Sequence, residues 1–539
     1  MRSAESAHRG ALEELARDRA ADRIWAEDAS FWKSEENHRR TIENALGWLT
    51  IADRMAPTVR HLEAFVAQAL PETDRAVVLG MGGSSLAPLV FSESFPRRPG
   101  FPRLEILDST HPAMVAAVEG REPAERLDRT IFIVSSKSGT TLEPNIFFDY
   151  FFERVGRELG QRAGERFVVI TDPGSQLEKE AKARRVRRVF PGDPHIGGRY
   201  SALSNFGIVP AAFAGIDVGE LLRRASEMAN RCRREAEENP GLQLGAALGG
   251  LAREGRDKVT FATGSPVDRF GMWVEQLIAE STGKEGTGIL PVEGEAIGAP
   301  AVYGKDRFFV GVAREGEASR DCPLRPLGEA GHPTAFFEIS DALDLGAEMF
   351  RWEFATAVAG KVLGINPFDQ PNVQEAKDRT IEILSGKSEQ STVDSRQSTV
   401  DEGELRNLLG SIKPGDYFAI TAYIPSTEEN EAKLNRIRLA VRDAKKVATT
   451  VGFGPRFLHS TGQLHKGGPD TGVFLQITAS AGSDVPIPGK PYSFGQVISA
   501  QAAGDLAALK SRGRRAMHVH LAEVDSGLHS LEAAAGRAL

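Results

Sequence analysis

Over the first sixty residues apolar and charged positions recur at helical spacing, as in Ala11-Leu12-Glu13-Glu14-Leu15 and Ala45-Leu46-Gly47-Trp48-Leu49, which predicts a helical segment over residues 1–60. From Arg75 the pattern changes. Short apolar runs end in glycine or serine turns and lead into longer amphipathic stretches, as in strand-turn-helix units of a parallel sheet. Strands are predicted at 76–79, 104–107, 131–134 and 167–170, within a first α/β domain over 61–239. A second α/β domain is predicted over 240–384, with strands at 259–262, 308–312 and 335–339 and a long helix over 347–363. Strands at 418–424, 473–477 and 517–521, with a helix over 428–448, predict an α/β extension over 405–539. Residues 385–404 are polar, repeat Gln-Ser-Thr-Val at 390 and 397, and lack an apolar period, so a flexible linker is expected there.

Composition narrows the function classes. A chain of 539 residues, 41% hydrophobic and 26% charged, holds about three cores. Its 66 Lys and Arg against 74 Asp and Glu leave a net charge of −8, which disfavours a broad footprint on nucleic acid or anionic lipid. Any anion must therefore be captured locally. Cys232 and Cys322 are the 2 cysteines, in no C-x-x-C spacing, so no disulfide framework or cysteine zinc site is expected. That suits a reducing cytoplasm. The opening stretch from Met1 to Arg23 is dense in charge, and no apolar run approaches the ~18 residues of a membrane span.

Four turns carry candidate chemistry. Thr130-Ile-Phe-Ile-Val-Ser135-Ser136-Lys137-Ser138-Gly139-Thr140-Thr141 places a buried strand before a hydroxyl-rich turn and a helix start. Unpaired helix amides, hydroxyls and a lysine suit a phosphate dianion, and a simple Ser/Thr helix cap fits the same residues. Val77-Val78-Leu79-Gly80-Met81-Gly82-Gly83-Ser84-Ser85 lets backbone approach a ligand closely. It departs from a dinucleotide fingerprint at Ser85, although Asp108 after the next strand keeps a nicotinamide reading open. Gly197-Gly198-Arg199-Tyr200-Ser201 sets an arginine beside a helix start, where anion binding and a structural ion pair are both served. Glu280 ends a predicted helix closed by Gly283, where burial would disfavour the charged carboxylate, the direction that suits a general base near neutral pH.

Together with Asn366-Pro-Phe-Asp-Gln370-Pro-Asn-Val-Gln-Glu-Ala-Lys377 and Glu280-Ser-Thr-Gly-Lys284, these motifs resemble, in order, those of phosphoglucose isomerases, and most closely the isomerase half of bifunctional transaldolase/phosphoglucose isomerase proteins. The resemblance implies two sugar-isomerase-type α/β domains with the substrate between them. It assigns Ser136, Lys137, Ser138 and Thr141 to the phosphate loop, and Gly83 and Ser84 to the sugar. Glu280 becomes the base between the first two carbons, and Arg199 the stabiliser of the enediolate. Lys377 and Gln370 assist ring opening and substrate binding. The implied reaction interconverts glucose 6-phosphate and fructose 6-phosphate with no metal or redox cofactor. A homodimer is implied as well, because in that family the ring-opening histidine crosses a subunit interface.

The position of that histidine departs from the family. It is expected between the base and the Phe-Asp-Gln segment, yet Phe457-Leu458-His459-Ser460-Thr461-Gly462-Gln463 follows both. The pattern resembles the short bacterial enzymes, so a rearranged chain order that rebuilds the site is expected, with His459 in the role and His332 as a turn residue. Alternatives are a non-catalytic sugar-phosphate sensor of the same fold and an isomerase that also accepts mannose 6-phosphate.

Overall fold

The computed structural model describes residues 2–120, 126–316, 323–386, 400–480 and 482–539; residues 387–399 of the expected linker, and Cys322, lie outside the described residues. Three parallel sheets follow one another along the chain. The first, in order β2-β1-β3-β4-β5, is built from β1 (Arg75–Gly80), β2 (Arg103–Leu107), β3 (Thr130–Ser135), β4 (Phe167–Thr171) and β5 (Arg188–Pro191). The second, β7-β6-β8-β9, contains β6 (Lys258–Thr263), β7 (Leu290–Val292), β8 (Arg307–Arg314) and β9 (Thr334–Ile339). The third, β11-β10-β12-β13, contains β10 (Tyr417–Tyr423), β11 (Ala448–Phe453), β12 (Gly472–Ala479) and β13 (Arg515–Leu521). β1 and β3 are buried at every position, so their apolar runs are continuous rather than alternating.

Six helices set the functional geometry: α1 (Leu142–Leu159), α2 (Phe270–Thr282), α3 (Leu345–Leu363), α4 (Val373–Leu384), α5 (Glu428–Lys445) and α6 (Phe494–Ser511). The helix expected over 428–448 stops at Lys445, because Lys446 turns left-handed at φ 58° and the next residues enter β11.

The N-terminal helices and the first two sheets share one core, with the Trp48 ring tilted against Tyr200 at 5.4 Å and against Phe350 of α3 at 5.7 Å. The third sheet has its own core and also shares two others. Phe494 of α6 stacks 5.8 Å from Phe147 on the opposite face of the first sheet, and burying such a ring stabilises the junction by roughly 2 kcal/mol. Tyr417, Ala419 and Phe474 pack against Ala279 of α2 and Val292 of β7. The third sheet is thus wedged against both of the others.

Candidate active site

Register brings the first two turns together. Gly80 pairs with Ser135, so the Gly82–Ser84 turn and the loop at 136–141 leave the sheet side by side, where the strand order switches direction and α/β proteins bind ligands. A cavity of about 310 Å³ opens there, lined by Ser138, Thr140, Thr141 and Glu143 of the first unit. Lys377 reaches it from α4, and His459, Lys466 and Gln501 reach it from the third. Ser138 Oγ lies 3.0 Å from Thr140 Oγ1, and α1 begins at Leu142 with its free amides toward the loop.

Two loop members behave differently. The ammonium of Lys137 pairs with Asp172 and donates to the Asp193 carbonyl at 3.0 Å, and the residue is not among those lining the cavity. Ser136 is buried, and its hydroxyl has no hydrogen-bond partner among the described residues.

The glycine turn acts as a spacer. A Cβ on Gly83 would fall 1.9 Å from the Gly198 carbonyl oxygen, so the two turns meet backbone to backbone and Arg199 is set beside them. Gly82 sits at φ +53°, and a Cβ there would lie 2.8 Å from Gln276 Nε2 and 3.1 Å from His459. Ser84 is buried in the same turn, its amide donating to Met81 at 3.1 Å.

Across Gly82 from the cavity stands the second half of the site. Glu280, in the last turn of α2, accepts from Gln276 Nε2 at 3.0 Å and faces Arg199 Nη1 at 3.4 Å. Arg199 is held from several directions. It donates to Ser281 Oγ at 2.7 Å, to Gln370 Oε1 at 2.8 Å, and to the carbonyls of Pro367 and Asp369 at 2.7 and 2.9 Å. Lys284 braces the same segment by donating to the Asn366 carbonyl at 2.8 Å and to Asp369 at 2.7 Å. Burial, and then the charge of Arg199, push its ammonium down to about 8 against the pull of Asp369.

His459 arrives from the third unit on the turn after β11. Its Nε2 lies 3.2 Å from Glu143 Oε1, an oxygen that also accepts from Gln501 Nε2 at 2.6 Å. Burial raises the Glu143 carboxyl, but the charge and hydrogen bond of His459, its own amide and Lys377 outweigh this and hold it below the usual carboxylate range. The turn is pinned on both sides. Arg456 clamps Asp108 at 2.6 and 2.8 Å, Ser460 Oγ donates to Glu275 at 3.2 Å, and Gln463 donates to the Gly283 carbonyl at 2.8 Å. Asp108, the acid a dinucleotide site would use, is therefore spent in a buried ion pair. His332 lies edge-on to Phe309 at 5.3 Å, against the second sheet.

Sequence reasoning missed Glu143 and Gln501. An acid in the first turn of a helix, two residues after Thr141, was the available signal for Glu143. Gln501 carries no local signal.

A family model described as "Phosphoglucose isomerase" matches residues 51–305. A glucose-6-phosphate isomerase of Rubrobacter xylanophilus is 32% identical over 380 residues, covering 60% of this chain and 86% of the relative. One from Leptospira interrogans is 28% identical over 413 residues, covering 66% and 92%. Among solved structures, a glucose-6-phosphate isomerase from Chlamydia trachomatis superposes with a TM-score of 0.52 at 19% identity, over 72% of this chain and 86% of that one. A hypothetical protein from Thermus thermophilus gives 0.59 at 24% identity, over 71% and 96%; both likenesses concern the fold. Lys377 and His459 fall beyond the matched residues. On the strength of these relatives, and of five motifs gathered in order around one site, the chain belongs to the phosphoglucose isomerase family.

Proposed function

We propose that the chain interconverts glucose 6-phosphate and fructose 6-phosphate, with Glu280 moving a proton between the first two carbons and His459 opening the sugar ring. The observation that carries this is the pairing of Arg199 with Glu280 on one side of Gly82 and of Glu143 with His459 on the other. The phosphate would rest on the hydroxyls of Ser138, Thr140 and Thr141 and the first amides of α1, with Lys377 in reach. His459, hydrogen-bonded to Glu143, exchanges a proton at the ring oxygen, and Lys377 assists at the first hydroxyl. In the open chain Glu280 takes the proton from the second carbon and returns it to the first. Arg199, held rigidly by its hydrogen bonds, stabilises the enediolate oxygen without reorganising.

A cytoplasmic location belongs to the same reading; among the described residues no helix is long and apolar enough to cross a membrane. A homodimer is proposed from the family resemblance. Because His459 pairs with Glu143 of the same chain, on this reading the histidine need not cross between subunits.

The test is interconversion of the two hexose phosphates by chelator-treated protein, wild type beside His459→Ala. Activity in the wild type and a large loss in the variant support the reading. Activity in neither overturns the isomerase, and equal activity in both moves ring opening to another residue.

A further inference from the structure

Gln501 takes part in none of these steps, yet both ends of its side chain are occupied at the site. It lies on α6, 3% exposed; its Nε2 donates to Glu143 Oε1 at 2.6 Å and its Oε1 accepts from Thr110 Oγ1 at 2.7 Å. Thr110 is wholly buried just beyond β2. An ionised carboxylate can only accept, so the amide must present nitrogen to Glu143 and oxygen to the threonine hydroxyl. Its orientation is dictated by chemistry.

Gln501 and His459 converge on the same oxygen of Glu143. With that oxygen accepting, the imidazole Nε2 must carry a proton, which leaves Nδ1 as the nitrogen able to exchange one with substrate. A buried carboxylate with a single donor could rotate and release this tautomer. With two donors, one anchored on Thr110, it is locked.

We propose that Gln501, seated on Thr110, is a positioning residue for ring opening: it fixes the Glu143 carboxylate so that His459 keeps Nε2 toward Glu143 and Nδ1 toward the sugar. The inference rests on the isomerase reading above. It gives the third unit two roles, since the unit supplies both the histidine and the amide that orients the histidine's partner.

The test is the pH dependence of kcat/KM for Gln501→Ala and Thr110→Val beside the wild type, together with anomer interconversion of the hexose phosphates, which reports ring opening alone. Losing a hydrogen bond to a charged group should lower anomer interconversion by about tenfold in Gln501→Ala, and by about threefold in Thr110→Val, where the amide remains. KM should stay within about twofold, because the phosphate loop is untouched. A lost donor disfavours the carboxylate, so the acid limb should move to higher pH in Gln501→Ala, and by less in Thr110→Val, where the amide still donates but is no longer anchored. An unchanged acid limb in both, or a loss that only tracks melting temperature, overturns the proposal. A wild type without isomerase activity would instead remove the reading on which it rests.

Discussion

His459 and Glu143 are 316 positions apart in the chain and 3.2 Å apart in the fold. Glu143 opens α1 of the first unit and His459 lies on the turn after β11 of the third, so the pair closes within one polypeptide. Mixing purified Glu280→Gln with purified His459→Ala, including a step of mild denaturation and reassembly, is therefore expected to recover no activity above the two variants alone. Recovery toward a quarter or more of the wild-type rate would show that the histidine is exchanged between chains.

Glu280 has both oxygens engaged, one by Gln276 and one facing Arg199. Glu280→Gln keeps the shape and loses the base, so kcat should fall by about 10²–10⁴ with KM little changed. Steady-state kinetics on fructose 6-phosphate decides it; a loss of less than tenfold would reassign the base.

Ser138 and Thr141 line the cavity, and the proposed mechanism gives their hydroxyls no proton to move. Replacing both with alanine should raise KM by about tenfold or more while kcat holds within a few fold, because each lost bond to a dianion weakens anchoring. A fall in kcat at constant KM would place the phosphate elsewhere.

Gly83 stands where any Cβ meets the Gly198 carbonyl. Gly83→Ala forces the two turns apart, at a cost of about 1–3 kcal/mol in denaturant unfolding and with loss of activity, since Arg199 follows Gly198. Wild-type stability and rate in this variant would mean that the turns tolerate separation.

Glu293 and Glu275 face each other across a cavity of about 210 Å³ between α2, α5 and the turn that carries His459. Burial first, and then Glu275, push the Glu293 carboxyl up to about 8; burial pushes Glu275 up to about 7 despite the Ser460 hydrogen bond. Groups raised in the fold contribute stability that is full below their unfolded value near 4.5 and is lost as pH rises through about 7 to 8. Glu293→Gln should thus melt about 2 °C or more above the wild type at pH 8.5 and level with it at pH 5. Equal melting at both pH values would sink this account.

Every strand expected from an apolar run is present: β1 and β3 are buried at every position, as parallel strands covered on both faces are, while β2 and β9 keep apolar residues beside the exposed Arg103, Thr334 and Glu338. β5, β7 and β11 carry no such run. Arg188 opens β5 within a run of arginines, β7 has three residues with proline at its centre, and β11 begins Ala-Thr-Thr. The motifs identified residue types but not directions. Lys137 reads in the sequence as a phosphate ligand, whereas the fold adds Asp172, just beyond the neighbouring strand, as its ion-pair partner. Gln501 meets Glu143 across 358 positions, a contact set by the docking of α6 that leaves no period or spacing in the sequence.

The wedge of the third sheet between the other two has a consequence for supply. If His459 carries the proton as proposed, it is folded into the same backbone that bears Glu280, and its arrival does not depend on the concentration of a second chain. Its delivery is first order. On the proposed assignment of His459 and Glu280, the rate per molecule is then expected to hold constant as the protein is diluted.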